Sequence, residues 1–93
     1  MIDAIIMKTE KTDHEIDIEF GQWLRDVRTR CKLTIEEAAS RSAIAPERLK
    51  SLELGYAEKG VTGQESKKIC VTYRVSLEEF LERAAGKSPA PLK

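Results

Sequence analysis

The sequence predicts an all-α domain of five helices built around a helix-turn-helix. Three observations carry that expectation. Apolar residues recur at helical spacing in the stretches between turn signals. Capping-box patterns, a hydroxyl residue followed three positions later by a glutamate, open the stretches at Thr34–Glu37, Thr62–Glu65 and Ser76–Glu79. Finally, Leu33–Gly55 joins two short helical patterns through a turn too tight for anything but a crossed helix pair.

Length and composition bound the answer. A chain of 93 residues makes one small domain, with a modest core and a stability of a few to about ten kcal/mol. It contains no apolar run of membrane-spanning length. Met1 to Met7 is short, carries Asp3 and lacks a basic start, so no signal peptide is expected and the protein reads as cytoplasmic, without a membrane partner. Met7 is a second candidate start. Cys31 and Cys70 fall on apolar faces, with no C-x-x-C and a single histidine in the chain. Buried free thiols are expected, and no metal or other cofactor.

The formal net charge is zero, which argues against an indiscriminate nucleic-acid binder, because counterion release needs clustered cations. The charge is unevenly spread. Residues 1–19 hold two lysines against six acids, a balance of −4, and the remaining 74 residues are therefore +4. A weakly basic domain follows an acidic arm.

Taken in order, residues 1–15 form that arm. Its apolar knot, Ile2, Ala4, Ile5, Ile6 and Met7, has strand propensity, and two readings stay open: disorder, or pairing with a copy of itself in a dimer. His14, in the polar run that follows, reads as solvated. The domain proper spans 16–85. Its first helix, Ile16 to Lys32, carries Phe20, Trp23, Leu24, Val27 and Cys31 on one stripe, while Arg25, Arg28, Arg30 and Lys32 read by default as a solvated face.

The second helix opens at the Thr34 capping box, and Ile35, Ala38, Ala39 and Ser42 share its inner face. The two alanines are small enough for a close crossing. Ala43, Ile44 and Ala45 make the turn. Pro46 opens the third helix, where a missing N–H costs nothing; Leu49 and Leu52 face inward, and Gly55 is the left-handed stop. Tyr56 to Val61 is a loop. The Thr62 box starts a fourth helix through Tyr73, and the Ser76 box starts a fifth whose Leu77, Phe80, Leu81 and Ala84 close the core. Residues 86–93, GKSPAPLK, have no core face and are expected to be disordered.

The order Leu24, Arg25, Val27, Arg28, then Leu33, Thr34, Glu37, Ala38, Ala39, then Ile44, Leu49, Leu52, Glu53, Gly55, then Ile69, Val75, Ser76, Leu77, Glu79 resembles the Cro/C1 (XRE-type) family of phage-repressor DNA-binding domains. The likeness covers roughly Phe20 to Ala85 and implies a compact lambda-repressor-like fold. It also implies that Arg28 and Glu53 form a partly buried structural ion pair, with DNA contact as the alternative. Beside that pattern, the Tyr56 loop is about two residues long, and Gly63 and Ser66 stand where apolar residues are usual. The fourth helix is therefore expected to be the least stable.

The resemblance further implies that the third helix enters a major groove of double-stranded DNA, with Ala45, Pro46, Glu47, Lys50 and Ser51 facing base edges. Arg48 and Lys50 offer phosphate or guanine contacts, and Arg41 and Lys59 flank the backbone. The chain departs from the family's reading face at several positions. Ile35 replaces a phosphate-binding glutamine, Pro46 replaces a base-reading side chain, and Ala43 stands at a turn position usually held by glycine, where positive φ costs about 1 kcal/mol.

Two functions follow. One is a sequence-specific DNA-binding transcriptional regulator, expected as a homodimer on a two-fold site. The other is a protein-binding helix-turn-helix, an anti-repressor or a cofactor of a transcription factor or polymerase, favoured by the neutral charge, Ile35, Leu54 and the acidic arm. No nucleophile–base pair or phosphate-binding loop is present, so no enzyme is expected. The paired carboxylates Glu36–Glu37 and Glu78–Glu79 are explained by helix N-termini.

Overall fold

The computed structural model describes residues 12–57 and 59–86. The expectations for the Ile2–Met7 knot and for the tail beyond Gly86 lie outside those residues. Five helices follow one another: α1 (Asp13–Arg30), α2 (Ile35–Ser42), α3 (Pro46–Leu54), α4 (Gly63–Tyr73) and α5 (Leu77–Ala84). There is no strand among the described residues.

α1 starts three residues ahead of the Ile16 read from the apolar stripe. The reason is a fourth capping box inside the stretch assigned to the arm. The Glu15 N–H donates to the Thr12 hydroxyl at 3.1 Å, and the Thr12 N–H donates back to the Glu15 carboxylate at 2.9 Å. His14 is thereby helical, and its ring lies 5.8 Å from that of Tyr56, beyond the end of α3. Thr34 and Thr62 make the same reciprocal caps on α2 and α4. Ser76 makes half of one: its hydroxyl accepts from the Glu79 N–H at 3.0 Å, without the return bond expected of a box.

Phe20, Leu24 and Val27 of α1 meet Ala38 and Ala39 of α2, Leu49 and Leu52 of α3, Ile69 and Tyr73 of α4 and Phe80 of α5 in one core. Phe80 is fully buried, edge-on to Phe20 at 5.2 Å, and Trp23 lies half-buried 6.0 Å from each of them. The guanidinium of Arg83 covers Trp23 at 5.7 Å from the ring centre. The stripe expected on α5 is only half engaged. Ala84 packs against the core, whereas Leu77 and Leu81 are 40% and 50% exposed. Ser66 is buried and satisfied, donating to the Thr62 carbonyl at 2.8 Å, and Gly63 faces open space.

Two glycines set how closely α1 approaches α3. A Cβ on Gly21 would run into the backbone carbonyl groups of Leu52 and Glu53. Gly55 ends α3 at φ 82°, and a Cβ there would come within 3.0 Å of the backbone of Ile18. The outcome is a backbone-to-backbone contact that no larger residue permits.

Candidate nucleic-acid interface

The turn between α2 and α3 is closed by Ala43 at φ 59°, ψ 36°, a left-handed conformation forced on an alanine. Ile44 follows, buried, and its N–H donates to the Ala39 carbonyl at 3.2 Å. Ala45 caps α3 without a side-chain bond, and Pro46 occupies the first turn, where its missing N–H is no loss. Ser42, also buried, returns its hydroxyl to the Ala38 carbonyl at 2.7 Å.

α3 is fastened on three sides. Leu49 and Leu52 are 1% and 3% exposed and face the core. On one flank Glu53 receives Arg28 of α1 in a two-point contact, Nε to Oε2 at 2.6 Å and Nη2 to Oε1 at 3.0 Å. The same guanidinium donates through Nη1 to the Leu33 carbonyl at 2.9 Å. It thus joins α1, the start of α2 and the end of α3, and Glu53 holds it protonated, its pKa raised.

On the other flank Arg48 reaches α4, with Nε 2.7 Å from Oε2 and Nη2 3.0 Å from Oε1 of Glu65. Nη2 also donates to the Gly60 carbonyl. Glu65 is at the same time the capping glutamate of α4, and the Arg48 contact pulls its carboxyl below the usual glutamate range. On sequence alone Arg48 stands with the residues free to touch DNA; the structure instead turns its guanidinium along the α4 flank, against Glu65 and the Gly60 carbonyl.

What remains outward on α3 is Glu47, Lys50 and Leu54, all exposed, with Pro46 and Ser51 half-buried beside them and Ala45 exposed at the start. Leu54 is 61% exposed, an aliphatic residue on an otherwise polar face. Arg41 and Lys59 do not join this surface. Arg41 lies with Lys67 and Lys68 between α2 and α4, and Lys59 lies beside Asp13 and Asp17 at the start of α1.

Gln22 and Arg25 of α1, in contrast, do join it. They line a groove of about 340 Å³ with Lys50, Glu53 and Leu54. On sequence alone Arg25 belongs to a solvated face. The available signal was its position three residues before Arg28, which puts both on the side of α1 that meets α3. Ile35 is half-buried against the core, so its side chain offers the α2 terminus no polar group.

No group of three or more histidine, cysteine or carboxylate residues is arranged to hold a metal among the described residues. No helix there is long and apolar enough to cross a membrane. Cys31 and Cys70 are free thiols, and burial pushes that of Cys70 upward.

No protein-family model and no curated protein sequence matches the chain. Solved structures do. One crystal structure of the clp gene regulator ClgR from C. glutamicum is 28% identical, with 83% of this chain and 94% of that chain covered, at a TM-score of 0.64. A second, of ClgR from Corynebacterium glutamicum, is 30% identical, with 76% of this chain and 73% of that chain covered, also at 0.64. By that identity and coverage, the chain belongs to the family of helix-turn-helix proteins that contains ClgR.

Proposed function

We propose that the protein is a sequence-specific DNA-binding transcriptional regulator of the Cro/C1 type that lays α3 in a major groove. The observation that carries this reading is the fastening of α3: its inner side and both flanks are fixed, and one continuous face is left to solvent. A recognition helix needs such a rigid base, since base-edge hydrogen bonds are lost with small displacements. The neighbouring gene regulator supports it.

In this reading Lys50 contacts guanine or phosphate and Glu47 accepts from cytosine N4, while Ala45, Pro46 and Ser51 pack along the groove. Arg25 and Gln22 extend the contact to a phosphate. A homodimer on a two-fold site supplies the affinity that one small, nearly neutral face lacks. The test is selection of bound fragments from random duplexes, with affinity followed against salt. One preferred sequence and a log–log slope of about −0.9 per phosphate contacted are expected. Equal weak binding to all duplexes sinks the reading.

A second reading, a helix-turn-helix that binds a regulatory protein, is favoured by the exposure of Leu54 and Tyr56, at 61% and 70%. Leu54 at the end of α3 and Tyr56 just beyond it together offer more apolar area than a thymine methyl contact uses, and such area suits a protein surface.

A further inference from the structure

A second surface lies away from α3. The last turn of α2 and the middle and C-terminal part of α4 enclose a shallow groove of about 310 Å³, lined by Arg41, Ser42, Lys67, Lys68, Val71 and Thr72. All three cations are exposed, and none makes an ion pair with a described residue. Arg41 suits the negative end of the α2 dipole, but Lys67 and Lys68 stand in the middle of α4, short of its last turn, where that explanation fails. Val71 is the most exposed large apolar residue described, at 81%, and it sits among them.

We propose that this groove docks an acidic segment of a partner protein, whose carboxylates meet Arg41, Lys67 and Lys68 while an aliphatic side chain covers Val71. Charge complementarity selects the sign of the occupant: three cations share the groove with no carboxylate in its lining. Val71 selects its class. A phosphodiester backbone answers the cations and leaves the valine in water, whereas an amphipathic acidic segment satisfies both. No residue of α3 lines the groove, so the partner and a DNA duplex can be held at once.

The experiment titrates the full chain with a synthetic peptide in which glutamates flank one leucine at helical spacing, followed by backbone-amide NMR. A random-sequence duplex is the second probe. The amides of Arg41, Lys67, Lys68 and Val71 are expected to shift with peptide. The charge reversal Lys67→Glu with Lys68→Glu weakens the peptide by about tenfold or more, and Arg41→Gln, on the other helix, weakens it independently. Val71→Ser also weakens it, and duplex binding is unchanged throughout. All four sites are exposed, so the variants keep the fold, which their thermal unfolding checks. Peptide affinity indifferent to these changes overturns the proposal. So does loss of duplex binding on charge reversal, which assigns the groove to the phosphate backbone.

Discussion

Gly21 of α1 lies directly beneath the backbone carbonyl of Glu53, with no room between them for a methyl group. The contact determines how far α3 stands from the body of the domain. It also places Glu53 within reach of Arg28, so the ion pair depends on the glycine. Gly21→Ala is therefore expected to force the two helices apart and cost about 3 kcal/mol, at the upper end of overpacking effects. Urea unfolding followed by circular dichroism measures it. A loss below about 0.5 kcal/mol, within the scatter of ordinary surface substitutions, contradicts the close approach.

Ala43 offers the opposite prediction. Its φ of 59° is left-handed, and its side chain is exposed, so the methyl group contributes little packing to offset the strain. Ala43→Gly relieves that strain of about 1 kcal/mol and adds back part of it as unfolded-chain entropy. A net gain of about 0.5 kcal/mol is expected, seen as a higher urea midpoint at unchanged slope. A destabilised variant shows that the turn is not strained as described.

The helix-turn-helix was legible in the sequence because its signals are local. The Thr34 box, Pro46 and Gly55 each act within a few residues, and each marks an end where the structure has one. The Thr12 box was equally local, yet it was hidden in a polar run without an apolar stripe to draw attention to it. The fate of Arg48 was not legible. At its helical position the side chain lies on the border between inner and outer faces, and a glutamate 17 residues away decides which it joins. Gly21 was silent for the same reason: only the path of α3 reveals that a hydrogen is needed there. The engagement of Leu77 and Leu81 likewise depends on how α5 rolls over the core.

The Arg48–Glu65 contact carries a pH dependence whose sign is fixed. The folded carboxyl has a lowered pKa, caused first by the Arg48 hydrogen bond and also by the Thr62 cap. A group depressed in this way stabilises the fold above its unfolded pKa of about 4.3, and the contribution is lost as pH falls through the folded value. Wild type is therefore expected to exceed Glu65→Gln in stability at pH 7, by about 1 kcal/mol given that the pair is partly solvated. The gap should close in acid. Parallel stability curves for the two proteins across the acid range contradict the assignment.

Two cations of α3 should part company when each is reversed. Lys50 is exposed on the outward face and takes part in no ion pair among the described residues. Lys50→Glu is thus expected to leave the unfolding midpoint within about 0.5 kcal/mol of wild type. On the proposed function it nonetheless abolishes preference for the selected duplex, by setting a carboxylate against phosphate. Arg48→Glu places a second carboxylate against Glu65 and strips the Gly60 carbonyl of its donor. It should cost about 2 kcal/mol or more, since a part-buried charge is left facing its like. Any loss of duplex binding then follows from a loosened α3 and is recovered only in part by Arg48→Glu with Glu65→Arg, which restores the pair in reverse but forfeits the Thr62 cap. Urea unfolding and duplex titration of the three variants decide the matter. If Arg48→Glu proves as stable as Lys50→Glu, the two side chains share one solvated face and the fastening of α3 through α4 is wrong.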